Sequence, residues 1–150
     1  MKRAAVVTRA IDPAALVAEV QSAAFGAISL FVGTVRDVND GRTVMGLDYS
    51  AYVAMAESEL AAILDEAETN FGIGAIAIEH RIGTLALGEV SVAVASAHAH
   101  RRPAIECTRF VIEEIKSRVP IWKLEHYADG ARQWVDPTQA PTHTNGEARA

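Results

Sequence analysis

The sequence predicts an α+β fold: a single domain with a mixed or antiparallel sheet and about three helices. Strand-like and helix-like segments alternate without a strict βαβ rhythm, which argues against a doubly wound parallel sheet. The segment 54–70 has the full periodicity of an amphipathic helix. The chain has 150 residues, 50% of them hydrophobic and 22% charged, which suits one folded domain. Such a chain buries roughly 68–70% of its unfolded surface and needs no disulfide or metal to hold it.

Residues 4–8 (AAVVT) read as a first strand. A helix follows in IDPAALVAEVQSAAFG, with Asp12 as N-cap, Pro13 at the first helical position and Gly26 past the end. Residues 27–36 (AISLFVGTVR) form a buried strand, in which Gly33 marks a bulge or a close backbone approach. DVNDGRT is a turn, with Asn39, Asp40 and Gly41 supplying left-handed or tight conformations. Residues 44–52 alternate as another strand. In the helix 54–70, Met55, Leu60, Ile63, Leu64 and Ala67 make the apolar stripe, with Glu57, Glu59, Glu66 and Glu68 on the wet face. Gly72 and Gly74 stop it.

Strands at 75–82 and 89–97 are joined by GTLALGE. The last helix runs from Pro103 to Arg118 with Ile105, Thr108, Ile112, Ile115 and Val119 inward. Phe110 falls on its polar side, a hint of an interface. The helix ends before Pro120, because a residue preceding proline resists the α conformation, and an extended segment follows. After Val135 no apolar period remains, so the domain is 1–135 and 136–150 is a flexible C-terminal tail.

The net charge of −5 gives no bulk attraction for nucleic acid or membrane. One cysteine, Cys107, excludes an internal disulfide. The N-terminus MKRAAVVTRAIDPAAL lacks the apolar run of a signal peptide, and no segment approaches the ~18–20 apolar residues of a membrane span. A cytoplasmic, soluble protein is expected.

Three places stand out chemically. In EIKSRVPIWKLEHY, Lys116 borders the apolar stripe of the last helix, and Lys123 alternates with Trp122 beyond the proline turn. The residues leave open two readings of this pair: snorkelling surface lysines, or ammonium groups held against an apolar wall. In SAHAHRRPAIE, His100, Arg101 and Arg102 lie at a helix N-terminus, where cations are unfavourable unless an anion visits. A phosphate or carboxylate fits them better than a solvated basic turn does. In FVGTVRD, Arg36 closes an apolar strand and either points into a cleft or pairs with Asp37 or a glutamate. His98 and His100, expected on one strand face, have no cysteine or acid at ligand spacing, so no metal is assigned. His80 and Arg81 read as a strand-end pair tied into local hydrogen bonds.

Taken in order, FVGTVRD, MAESEL, EHRIGTLALGEVSVAVASAHAHR, VPIWKLE and DGARQWV resemble the catalytic (large) subunits of molybdopterin synthase, over roughly residues 4–135. A His-Arg pair about fifteen residues ahead of the first lysine, followed by VPIWK, is the most specific part. The resemblance implies an α/β-hammerhead-like fold. It implies a sulfurtransferase that inserts two sulfurs into cyclic pyranopterin monophosphate, making the molybdopterin dithiolene. The sulfur donor is the C-terminal Gly-Gly thiocarboxylate of a ubiquitin-like small sulfur-carrier subunit, within a heterotetramer built on a homodimer. No cofactor is implied.

Carried over by motif, Lys116 and Lys123 are the catalytic lysines. Arg36, His100 and Arg101 contact substrate, as do the backbone near Thr34 and Val35 and the segment Lys123, Leu124 and Glu125. On chemistry, Lys123 is the acid–base candidate and Lys116 holds the tail carboxylate, with the reverse division equally compatible with the residues. Arg102 stands ready to share the phosphate. Ser50 stands where the family often has an acid, and Trp134 and Val135 are followed by DPTQAPT, with no arginine in reach to cross a dimer. Two other classes compete: a non-catalytic module gripping a ubiquitin-like tail, and a lysine Schiff-base enzyme.

Overall fold

The computed structural model describes residues 1–72 and 74–135. The expected tail at 136–150, and with it the segment after Val135, lies outside them. In chain order the elements are β1 (Lys2–Val7), α1 (Pro13–Val20), β2 (Ala27–Thr34), β3 (Val38–Asn39), β4 (Arg42–Ala51) and α2 (Val53–Phe71). Then come β5 (Ala75–Arg81), β6 (Gly83–Leu85), β7 (Val90–His98), α3 (Arg101–Arg118), β8 (Ile121–Tyr127) and β9 (Arg132–Val135).

Asp12 caps α1 by accepting the Ala14 N–H at 3.0 Å, with Pro13 beginning the helix. The helix closes at Val20 and does not continue to Gly26, because Gln21 turns extended (φ −68°, ψ 137°). Gly26 instead permits a close backbone approach, since a Cβ there would come within 2.7 Å of the Ala99 carbonyl oxygen. At Gly33 the expected bulge is present, as a register shift between Gly33 and Thr34.

The first sheet has the order β1-β5-β7-β2, with β1 parallel to β5 and the other pairs antiparallel. Alternation sorts its side chains onto two faces. Ala75, Ala77, Ala93, Ala95 and Ala97 make a floor for Leu16 and Val20 of α1. Ile76, Ile78, Val92 and Val94 face the other way and pack with α2 and α3. The second sheet runs β3-β4-β8-β9, with β6 also paired to β4. Its Leu47, Tyr49, Leu85 and Ile121 join the α2–α3 core, so one core is shared by both sheets.

Both helix stripes keep most of their expected residues, Leu60, Ile63, Leu64 and Ala67 on α2 and Thr108, Ile115 and Val119 at α3, and depart from expectation at their N-terminal ends. On α2 the buried line is Ala56, Leu60, Ile63, Leu64 and Ala67, and Met55 is 59% exposed. On α3 it is Ala104, Cys107, Thr108, Val111 and Ile115, and Ile105 is 58% exposed. In both helices an alanine occupies the close contact, and its large neighbour, about 100° round the helix, is carried to the surface. Phe110 does not project from the polar face; its ring lies 5.6 Å from that of Phe71 and packs on the core. Cys107 is buried in the same seam, where burial pushes its thiol up to about 11.

Three short strands, β3, β6 and β9, lie beyond what the sequence pattern predicts. β3 arises because Asp40 (φ 49°) and Gly41 (φ 74°) form a two-residue turn pairing Asn39 with Arg42. No helix among the described residues is long and apolar enough to cross a membrane.

Candidate active site

The turn between the two lysines is built by its hydrophobic residues. The Val119 N–H closes α3 on the Ile115 carbonyl at 3.2 Å. Val119 itself is extended, as a residue before proline must be, and the Ile121 N–H reaches back to its carbonyl at 2.8 Å. Val119 and Ile121 are both buried and pin this reversal into the core. Alternation along β8 then sends Lys123, Glu125 and Tyr127 to one side. Trp122 goes to the other side, edge-on to Tyr52 at 5.3 Å. The last turn of α3 is fixed from outside by Arg118, which bonds Glu59 (3.0 Å) and Glu66 (2.8 Å) of α2 and Glu114 of its own helix (3.1 Å).

These elements enclose a cavity of about 400 Å³, with Lys116, Lys123, Arg36 and Glu125 among its walls. Three cations thus face one carboxylate in a protein whose overall charge is −5. Glu125 is 3% exposed. Burial works to raise its carboxyl, but hydrogen bonds from Tyr127, Lys123 and Asn39 outweigh it, and the group is held below its ordinary value. The Lys123 ammonium lies 3.0 Å from Glu125 Oε1.

Lys116 is partly buried and has no carboxylate partner among the described residues. Burial, and then the charge of Lys123, push it below the ordinary lysine value. Beneath it His80 is 2% exposed, edge-on to Tyr49 at 5.1 Å, with Nδ1 at 3.0 Å from the Arg81 carbonyl oxygen. That carbonyl can only accept, so Nδ1 carries the proton. Burial, followed by the charge of Lys116, holds the ring neutral, down to about 4.

The structure brings together Lys116, Lys123, Thr34, Val35, Arg36 and Glu125. It does not bring Leu124, which alternates to the far side of β8 and pairs across the strands with Asp48 and Trp134. Val35 contributes its side chain, since its N–H and C=O are taken by Glu89 and Gly88. Of the two readings open for Arg36, the structure takes the cleft: it lines the cavity and bonds Asn39 Oδ1 at 3.2 Å rather than Asp37 or a glutamate.

His100 and Arg101 lie at the opposite end of α3, about 22 Å from Lys116 at 1.5 Å per residue. His100 caps the helix there while His98 ends β7, so the two do not share a strand face as expected. Arg102, with its side chain largely exposed, bonds Glu106 through Nε at 2.9 Å. Among the described residues no three His, Cys, Asp or Glu side chains converge as a metal site.

Sequence reasoning misses Asn39, Tyr49 and Tyr127. By sequence Asn39 is only a turn former. Tyr127 continues the period-two face of Lys123 and Glu125, a signal the sequence does contain.

An α+β chain whose cavity gathers three cations around one carboxylate is chemically suited to an anionic group. Comparison with known proteins narrows this. The family model described as MoaE protein matches residues 6–118. The molybdopterin synthase catalytic subunit of Oryza sativa subsp. indica is 47% identical over 133 residues, covering 85% of this chain and 69% of that protein. The crystal structure of molybdopterin synthase from Staphylococcus aureus superimposes with a TM-score of 0.83 at 34% identity, over 87% of this chain and 95% of that one. The complex of subunits 1 and 2 of molybdopterin-converting factor from Helicobacter pylori 26695 gives a TM-score of 0.71 at 26% identity, over 86% and 87%.

The chain belongs to the MoaE family. Its role is that of the catalytic subunit of a molybdopterin synthase, an enzyme of molybdenum cofactor biosynthesis.

Proposed function

We propose that the chain is a sulfurtransferase that moves sulfur, twice, from the C-terminal Gly-Gly thiocarboxylate of a ubiquitin-like small subunit into cyclic pyranopterin monophosphate. The product is the molybdopterin dithiolene. The observation that carries the reading is the convergence of Lys116, Lys123 and Arg36 around Glu125 in one cavity. As each carbon–sulfur bond forms, a carbon–oxygen bond of the precursor breaks and its oxygen leaves as water or with the phosphate; tail and pterin are then joined through an acyl–sulfur link, which water must cleave. Sulfur then stays on the pterin, and a carboxylate returns to the tail.

The attacking water gives up a proton, and Lys116 is the group best suited to take it, because burial and the charge of Lys123 favour its neutral form. Lys123, charge-paired with Glu125, binds anionic groups of tail and substrate. This reverses the division assigned from sequence. Arg36 faces the precursor phosphate. We assign the reaction to the cytoplasm, where a lone cysteine stays reduced.

The geometry of β2 supports a homodimer. This strand ends the first sheet with an open backbone edge and exposed Ile28, Leu30 and Phe31. Two copies paired antiparallel along β2 would set the Ala27 end of one against the Thr34 end of the other. Because Ala27 pairs with His98, that arrangement carries the partner subunit's His100 and Arg101 toward this copy's cavity.

Reconstitution with the pyranopterin precursor and a thiocarboxylated small subunit tests the reading. Dithiolene product should form, and Lys116→Ala should abolish it. A stable complex that makes no product would overturn the reading.

A further inference from the structure

Lys123 has Glu125 to hold it, but Arg36 sits on a short connection after β2. What ties it to the rest of the cavity is Asn39. The Asn39 side-chain nitrogen donates to Glu125 Oε2 at 2.7 Å, and its oxygen accepts from Arg36 Nη2 at 3.2 Å. The same Oε2 takes the Tyr127 hydroxyl at 2.5 Å, leaving Oε1 to face Lys123 at 3.0 Å. An amide suits this place because it presents a donor to a carboxylate and an acceptor to a guanidinium from opposite ends. The network also fixes the amide's orientation, since a nitrogen must face Glu125. A direct Arg36–Glu125 pair would cancel both charges and leave Lys123 without its counter-ion. The Asp40–Gly41 turn aims Asn39 inward by locking its register opposite Arg42.

We propose that Asn39 is a positioning residue for the synthase reaction: it bridges Arg36 to Glu125 so that guanidinium and Lys123 ammonium present a preset pair of donors to the phosphate-bearing precursor. The inference rests on the reading of the site given above. A mere turn former in this position would affect stability and nothing else.

The test is steady-state kinetics of the reconstituted synthase with Asn39→Ala, Asn39→Gln and Asn39→Asp, beside thermal melts. Asn39→Ala should raise KM for the precursor about 10-fold while kcat stays within about 2-fold, the signature of lost ground-state positioning. Asn39→Gln keeps both donor and acceptor and should recover most of the loss. Asn39→Asp should be worst, because it sets a second carboxylate against buried Glu125 and captures Arg36. In the free protein, the 15N order parameter of the Arg36 side chain should fall in Asn39→Ala. Unchanged KM across the three variants, or an equally ordered Arg36 in Asn39→Ala, would overturn the proposal. Should the wild-type mixture make no product, the Arg36 measurement still decides the role of Asn39, and the failure belongs to the synthase reading.

Discussion

The two ends of α3 treat positive charge in opposite ways. At the C-terminal end the helix dipole favours cations, Arg118 is shared among three glutamates, and Lys116 is drawn partly under the surface beside a cavity. At the N-terminal end His100, Arg101 and Arg102 are exposed, the dipole opposes them, and they stand outside the walls of the lysine cavity. One end opens on a cavity walled by Lys116, Lys123, Arg36 and Glu125 of the same chain. The other is a cluster of donors set where an anion belongs, with the chain's own lysine cavity a helix length away. Under the proposed homodimer, one linear motif, HR…VPIWK, would serve two sites on two copies of the same fold.

The largest effect should come from the C-terminal end. Lys116→Ala should lower dithiolene formation at least about 100-fold, and Lys116→Arg should restore little, because a guanidinium does not give up its proton near neutral pH. Substantial activity in Lys116→Arg would reduce Lys116 to a charge. Next is a mixing experiment that joins the two ends. Lys116→Ala and His100→Ala, each defective alone, should on subunit exchange regain about a quarter of wild-type activity, since half of the mixed dimers' sites become whole. No recovery would break the shared-site reading.

A smaller effect concerns stability. The folded protein sheds the Lys116 proton at lower pH than the unfolded chain does. Between those two values the unfolded state binds more protons, and stability rises with pH toward the ordinary lysine value. Lys116→Met should stabilise the protein by ~1 kcal/mol at neutral pH, with the gain shrinking as pH approaches that value; denaturant melts at several pH values would read it. Smallest is Arg102→Ala. Its charge is held by an exposed i,i+4 pair, and activity should be unchanged while stability falls by no more than ~0.5 kcal/mol.

Much of this was legible in the residues. The α+β class, the cap at Asp12, the bulge at Gly33 and the turn at Pro120 all follow from rules that act over a few positions, whereas the partnership of Lys116 with Lys123 came from the family resemblance. What escaped depends on neighbours distant in sequence. Met55 and Ile105 satisfy helical spacing, yet Ala56 and Ala104 won the inner positions because only small side chains fit the close contacts. Arg36 had Asp37 beside it, but β3 pairing brought Asn39 to it instead. That Lys116 sheds its proton below the ordinary lysine value depended on its burial and on the charge of Lys123, which only the fold brings beside it.

The buried thiol of Cys107 has a practical consequence. The sequence contains one cysteine, and with its thiol pushed up to about 11 almost none of it ionises under ordinary labelling conditions. A cysteine introduced at Ala18, exposed on α1 across the first sheet from the lysine cavity, would take up a maleimide dye selectively. Two differently coloured batches, mixed, would then report subunit exchange by energy transfer, with no substrate and no small subunit in the tube.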